Sequence, residues 1–225
     1  MITTMNPPLI PAGVRTLFVD MDGTLTDLAF DYAFFHDVLP RRYAEAAGAE
    51  PEAARRHVQR ELEAISGTLA WYSLANLSRL FGLDLAALTE ELAHGIALQP
   101  GALDFLARAR TRYRLVLVTN ADPGVLAIKL RRTGIAAWLD GVISAHHLGA
   151  AKEEADFYER LAAIEPDCPT GGVLIDDNVR AVAAARRAGL AAVTVMRPNL
   201  SRPPRAAHEI EGAAVENVAE LIDHL

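Results

Sequence analysis

Apolar positions along the chain fall into two patterns. Five short runs are apolar almost without interruption and end in turn or polar residues: Thr16–Asp20, Arg114–Asn120, Gly141–Ala145, Gly172–Asp177 and Ala191–Val195. Unbroken Val, Ile and Leu without alternation is the mark of strands covered on both faces, as in a parallel sheet. Between the runs, apolar residues recur at helical spacing. One stripe is Leu103, Leu106 and Ala109. A second is Leu126, Leu130 and Thr133, opened by Asp122-Pro123 and stopped by Gly134. A third is Val179, Val182, Ala183 and Arg186, stopped by Gly189. Strands alternating with helices predict an α/β fold, a doubly wound and mainly parallel sheet.

One stretch breaks this rhythm. From Ala29 to Gly95 there is no strand run, only helical segments punctuated by Pro40, Gly48, Pro51, Gly67 and Gly82. Val58, Leu62 and Ile65 have helical spacing, and Asp84 is placed to cap a helix that ends near His94. The chain is therefore expected to divide into an α/β core, residues 1–28 and 96–225, and an all-helical cap, residues 29–95, inserted after the first strand. The arm Met1–Pro11 reads as frayed and not as a signal peptide. The proline-rich stretch Arg197–Pro204 reads as a surface loop ahead of a last amphipathic helix, Val215–Leu225.

Composition adds exclusions. Two hundred and twenty-five residues are enough for a large core, and the single cysteine, Cys168, rules out an internal disulfide framework or a cysteine-built zinc site. A formal charge of −7 argues against nucleic acid as the main partner. No run approaches the roughly 18 apolar residues of a membrane helix, so a cytoplasmic protein without membrane partners is expected.

Ligands of open α/β sheets bind outside the carboxyl ends of the strands. Those ends carry Asp20 and Asp22, then Thr119 and Asn120, then Asp176 and Asp177, with Lys152 in the loop after the third strand. Four converging carboxylates repel one another unless a cation lies among them, and an all-oxygen donor set suits Mg²⁺ better than zinc. A lysine and a strand-end hydroxyl beside a cation make a seat for a phosphoryl group. In Asp20-Met21-Asp22-Gly23-Thr24-Leu25 the two acids, one residue apart, point to the same side of an extended strand. One can attack phosphorus while the other handles the leaving-group proton, and Gly23 allows the sharp turn that follows.

The set DMDGTL, Thr119, Lys152 and Asp176-Asp177 resembles the four motifs of the haloacid dehalogenase-like (HAD) phosphatase superfamily, in the family's order. The strings TLTDLAFDYAFFHDVLP, GTLAWYSL, LVTNADPGVLAIKLRRTGI and LIDDN are similar to its bacterial GMP/IMP 5′-nucleotidase branch. The resemblance implies a Rossmann-like core and a phosphomonoesterase acting on a small phosphorylated metabolite, with nucleoside 5′-monophosphates preferred. It implies Asp20 as nucleophile, Asp22 as general acid and base, Thr119 and Lys152 on the phosphoryl group, and Mg²⁺ held by Asp20, the Asp22 carbonyl and Asp177. Asp176 would support or ligate the metal indirectly. A pyrimidine nucleotide, phosphoglycolate or a sugar phosphate as substrate, and a phosphomutase, remain open at this level, as does the choice between monomer and homodimer.

Two departures from the family pattern stand out. Glu153 and Glu154 follow Lys152 where proline is common, and are expected to point outward from a helix start. Ala181 lies four residues after Asp177, where an acid or asparagine is common. A haloacid dehalogenase has no need of the acid at Asp22, and a phosphonate-cleaving relative would need a cap lysine, which residues 29–95 lack. A phospho-signalling receiver, the remaining rival, would lack the helical insertion. Trp71 and Tyr72, with Phe35, are candidates to face a base from the cap, and Asn120 to bind substrate from the core. His146-His147 reads as a solvated loop, Cys168 as structural or surface, and Arg55, Arg56 and Arg60 as a solvated helix face.

Overall fold

The computed structural model describes residues 8–206, 208 and 210–225. Six strands form one sheet: β1 (Thr16–Val19), β2 (Arg114–Thr119), β3 (Gly141–Ser144), β4 (Gly172–Asp176), β5 (Ala191–Val195) and β6 (Ala214–Val215). They lie in the order β3-β2-β1-β4-β5-β6, and every neighbouring pair is parallel. This is the doubly wound arrangement, with its switch point at β1 and the strands beside it. The five apolar runs became strands because their alternate residues feed two separate cores. Leu17 and Val19, Leu115 and Leu117, and Val173 and Ile175 enter one; Phe18, Val116, Val118 and Leu174 enter the other.

The chain leaves the sheet at Thr26 and returns at Leu98. Asp27 N donates to Ala97 O (2.9 Å), Gln99 N donates to Leu25 O (2.9 Å), and Thr26 pairs with Leu98 between them. Between these neighbouring ends lie α1 (Ala29–Ala33), a π-helical turn at Phe34–Val38, α2 (Leu39–Ala47), α3 (Pro51–Ala64), α4 (Leu69–Tyr72), α5 (Leu74–Phe81) and α6 (Leu85–Leu92). These helices bury an apolar cluster of their own, with Leu39, Val58, Leu77 and Leu85 at its centre. The punctuation read in the sequence has concrete work. Pro51 opens α3, Gly48 and Gly82 close α2 and α5 in the left-handed region, and Asp84 accepts from Ala87 N at the start of α6.

The sheet's remaining helices are α7 (Ala102–Ala109), α8 (Pro123–Thr133), α9 (Ala145–Leu148), α10 (Ala155–Ile164) and α11 (Val179–Arg187). Several expectations are corrected here. In α7 the buried face is Ala102, Phe105, Leu106 and Ala109, while Leu103 is 41% exposed. In α11 it is Ala181, Val182, Ala184 and Ala185, and Val179 is outside it. An alanine-rich helix lying flat on a sheet can bury its small residues, so the larger side chain does not decide the face.

The expected last helix begins instead as strand β6 and continues as a 3₁₀ helix, Val218–His224. The arm Met1–Pro11 lies in its first seven residues outside those described, and Leu9 and Ile10 pack on the core. The Arg197–Pro204 loop is partly packed inside: Gln99 donates to the carbonyls of Arg197 and Pro198 (3.1 and 3.0 Å), and Asn199 is buried. Among the described residues, no helix is long and apolar enough to cross a membrane.

The corrected face of α7 has a measurable consequence. Leu106→Ala empties a fully buried site and is expected to cost about 2–5 kcal/mol in urea unfolding. Leu103→Ala, on the exposed side, should stay within about 0.5 kcal/mol. Equal losses would return Leu103 to the core stripe.

Candidate active site

The carboxyl ends of β1, β2 and β4 meet beneath the cap, around a cavity of ≈ 260 Å³. Asp20 follows β1, with its backbone N donating to Ile175 O (2.9 Å), and Asp176 ends the neighbouring β4. Asp20, Asp176 and Asp177 are all buried, and each offers an oxygen within 4.8 Å of the others. Lys152, itself buried, reaches this group from the loop after α9. Its Nζ donates to Asp20 Oδ1, to Asp176 Oδ2 (2.7 Å) and to Val118 O (3.1 Å). Asn120 holds the lysine's backbone, accepting from Lys152 N at 2.9 Å. Thr119 is buried at the end of β2, its Oγ1 accepting from Ala121 N (3.1 Å).

Gly23 is where the backbone must turn. Its φ is +89°, and a Cβ there would lie 2.7 Å from Asp177 Cγ and 2.8 Å from Pro198 Cβ. The turn is closed by bonds from Leu25 N and Thr26 N to Met21 O (2.9 and 2.8 Å). Asp22 emerges from it away from the buried acid group. Its Oδ1 accepts from Thr26 Oγ1 (2.9 Å) and from Lys129 Nζ (2.7 Å).

Burial and crowding set the electrostatics. Asp20 is pushed well above the ordinary carboxylate value by burial and by Asp176, Asp177 and Asp22, against the pull of Lys152. Asp177 is raised to about 7, chiefly by burial and then by Asp176, with Arg205 opposing. Lys152 is held protonated, because Asp176 and Asp20 outweigh the desolvation of its ammonium. Three oxygen donors at this spacing, crowded and short of positive charge, fit a hard divalent cation.

The cap lines the other side of the cavity. Phe35, Trp71 and Tyr72 all face it, with Phe35 and Trp71 rings 4.9 Å apart and Trp71 edge-on to Tyr72 at 4.9 Å. Leu74, Leu77 and Val125 complete an apolar wall. Every site residue read from the sequence therefore borders one cavity: Asp20, Asp22, Thr119, Asn120, Lys152, Asp176, Asp177, Phe35, Trp71 and Tyr72.

The structure corrects the outward expectation for Glu153. Its carboxylate turns in, accepting from Tyr72 OH (2.7 Å), Asn178 Nδ2 (2.8 Å) and Asn120 Nδ2 (2.8 Å). It joins the cap to the ends of β2 and β4, and together with burial it pushes the Tyr72 phenol up. Glu154 does point outward, its Oε1 accepting from Ala151 N (3.2 Å). Asn178 caps α11 and also serves this junction. His146 and His147 lie on α9 and not in a loop, with His146 half-buried. Cys168 is buried, and Arg55, Arg56 and Arg60 are exposed.

Three basic or acidic neighbours escaped the motif reading. Arg205, from the proline-rich loop, donates from Nη2 to Asp177 Oδ2 (3.0 Å) and from Nη1 to the Asp177 carbonyl. Lys129, buried in α8, and the half-buried Asp31 of α1 form a second ion pair beside Asp22. Lys129 had a signal, since with Leu126, Leu130 and Thr133 it completes an i, i+3, i+4, i+7 stripe. Arg205 had none.

A parallel sheet with acids at the ends of adjacent strands, a buried lysine and a helical insertion after the first strand defines a Rossmann-like hydrolase. Residues 14–189 match the family model described as haloacid dehalogenase-like hydrolase. The chain belongs to that family and is an enzyme of it. It is 34% identical over 178 residues to the GMP/IMP nucleotidase YrfG of Escherichia coli (strain K12), covering 79% of this chain and 80% of that one. Among solved structures, the HAD phosphatase from Thermococcus onnurineus superposes with a TM-score of 0.76 at 24% identity, over 93% of this chain and 97% of the other. The L-2-haloacid dehalogenase from Xanthobacter autotrophicus superposes with a TM-score of 0.65 at 16% identity, over 93% and 97%. These two establish the shared fold.

The raised carboxyls predict how the metal-free protein responds to pH. Asp31, raised to about 6 by burial, and Asp177, at about 7, bind protons in the folded state that the unfolded chain has already released above its value of 3.8. Their contribution is full below about pH 4 and is lost as pH rises through 6 and 7. Urea unfolding in EDTA is expected to show stability falling from pH 4 to 7. A rise over that interval would mean these groups are ionised throughout.

Proposed function

We propose that the chain is a Mg²⁺-dependent phosphomonoesterase working through an aspartyl-phosphate on Asp20, with purine nucleoside 5′-monophosphates such as GMP and IMP as substrates. The observation that carries the reading is the pairing of Asp20 and Asp22 at one strand end. One is buried against Lys152 and two further acids, and the other stands apart in the same cavity.

In the first step an oxygen of Asp20 attacks phosphorus in line with the departing alcohol. The P–O bond to the alcohol breaks, and Asp22 gives its proton to the leaving oxygen. In the second step water attacks the phosphoryl group, Asp22 takes a proton from it, and the bond to Asp20 breaks to release phosphate. Lys152 neutralises Asp20 and the transferring oxygens, and Thr119 is placed to hydrogen-bond the phosphoryl group. Asp20, Asp177 and the Asp22 carbonyl would hold Mg²⁺, with Asp176 in support. When bound there, Mg²⁺ would supply positive charge that favours the ionised form of the buried Asp20.

Substrate choice belongs to the cap. Phe35 and Trp71 line the cavity beside an apolar wall, surroundings suited to a flat base, while Tyr72 and Asn120 are tied to Glu153. The relationship to a GMP/IMP nucleotidase supports a purine over a sugar.

Phosphate release is to be measured over nucleoside monophosphates, sugar phosphates and phosphoglycolate, with Mg²⁺ and with EDTA. GMP and IMP should turn over fastest, and EDTA should abolish release. Asp20→Asn should lose at least about 1,000-fold in kcat; if it keeps turnover, the covalent mechanism is wrong. Trp71→Ala should raise KM for GMP about tenfold, in line with ~1–3 kcal/mol for a stacked base. A sugar phosphate turned over in preference to both nucleotides would sink the substrate assignment and leave the chemistry standing.

A further inference from the structure

The chain contains only two lysines, Lys129 and Lys152, and both are buried at the cavity. The phosphoryl chemistry uses Lys152. Lys129 lies in α8 and is 1% exposed. Burying an ammonium without partners is strongly unfavourable, so its neighbours indicate what it is there to hold. Nζ donates to Asp22 Oδ1 at 2.7 Å and to both oxygens of Asp31, at 2.6 and 2.8 Å. Its three N–H donors are thereby accounted for by two carboxylates, one following β1 and one on the first helix of the cap. The Phe30 ring, 5.6 Å from Nζ, covers the pair.

The placement of these bonds on Asp22 is informative. Lys129 Nζ, which can only donate, reaches Oδ1, and so does Thr26 Oγ1 (2.9 Å), whose single hydrogen also has Met21 O within reach (3.1 Å). An oxygen that accepts from an ammonium is the one that stays unprotonated, which leaves Oδ2 to bear the proton. Asp31 in turn fixes Lys129 from the cap side, only a few residues beyond the bonded neck at Leu25–Asp27.

We propose that Lys129 is a positioning residue for the proton-transfer group: anchored by Asp31 of the cap, it holds Asp22 Oδ1 so that Oδ2 faces the leaving-group oxygen and then the attacking water. This rests on the assignment of Asp20 as nucleophile and Asp22 as acid and base. It adds that the proton donor is set in place through a cap carboxylate, so a seated cap and a competent acid go together.

The test separates the two half-reactions by leaving group. A nucleoside monophosphate leaves as an alkoxide and needs the proton, whereas p-nitrophenyl phosphate leaves as a stable phenolate and does not. Both need Asp22 as base for hydrolysis of the phosphoenzyme. In Lys129→Met, kcat on GMP is expected to fall about 100-fold, part of what a positioned acid and base supplies, with KM within about threefold. With p-nitrophenyl phosphate in stopped flow, the first-turnover burst of nitrophenolate should keep a rate within about threefold of the parent enzyme, followed by slow steady turnover.

Lys129→Met leaves two acids facing each other, so the double variant Lys129→Met/Asp31→Asn, which removes the unpaired cap charge, must give the same pattern. Equal loss of the burst rate and of GMP turnover in the double variant, or a change in KM alone, overturns the proposal. Retained turnover in Asp20→Asn would instead overturn the underlying assignment, whatever the Lys129 variants do.

Discussion

The structure depends on the cost of placing carboxylates together away from water. Asp20, Asp176 and Asp177 share one buried edge of the sheet with Lys152 and, from the loop after β5, Arg205. Asp22 and Asp31 share Lys129 beside it. Each group is one positive charge short when its members are ionised. Attraction to the partners offsets only part of the desolvation of such charges, and an acid left over is strongly unfavourable. Burial first, and then the neighbouring acids, raise the carboxyls of Asp20, Asp31 and Asp177. A fold stabilised elsewhere by three apolar clusters supports an edge whose crowded oxygen donors suit a cation.

The same constraint gives the cap its seat. Cap and core are joined by polar bonds that end on site residues: Tyr72 on Glu153, Leu74 N on Asp122 (3.2 Å), and Asp31 on Lys129. Glu153 also holds Asn120, whose Oδ1 fixes the backbone of Lys152. Tyr72 of the cap and Lys152 are thus three hydrogen bonds apart, through the Glu153 carboxylate and the Asn120 amide. An exposed ion pair, Arg131 with Glu90, lies farther out and is worth little by comparison. Polar contacts around the cavity thus seat the cap together with apolar packing, Val125 against the cap's cluster and Leu69 against a core of the sheet.

Legibility in the sequence followed the kind of force involved. Strands β1 to β5 were readable because burial on both faces demands unbroken apolar runs. The helical insertion was readable because such runs are missing there. Asp20, Asp22, Thr119, Lys152 and the Asp176-Asp177 pair were readable because strand ends converge by topology. What failed was rotational: the face of α7, where Phe105 displaces Leu103, and the face of α11, where small alanines pack closest. Strand β6 has two residues and no periodicity to detect. Glu153 was misjudged because its inward turn is decided by Tyr72, Asn120 and Asn178, which lie far from one another in the chain. Lys129 could have been found, since a lysine at the centre of an apolar helical stripe must have buried partners.

Under the proposed function, the division between core and cap would let one edge serve phosphoryl transfer and still select a substrate. Phosphoryl transfer asks for charge placed around a few oxygens, and those positions are fixed by backbone: the turn at Gly23, the ends of β2 and β4, and the loop carrying Lys152. The leaving group asks for shape, and its surroundings come from side chains of short helices around a π-helical turn, where Phe35 sits. Asp31, on the first cap helix, reaches Asp22 through Lys129, as Tyr72 reaches Lys152 through Glu153 and Asn120. Helices α1, α4 and α5 are each tied to the core, through Asp31, Tyr72 and Leu74 N, and under the proposed function selection would fall to the cap side chains that these bonds leave free.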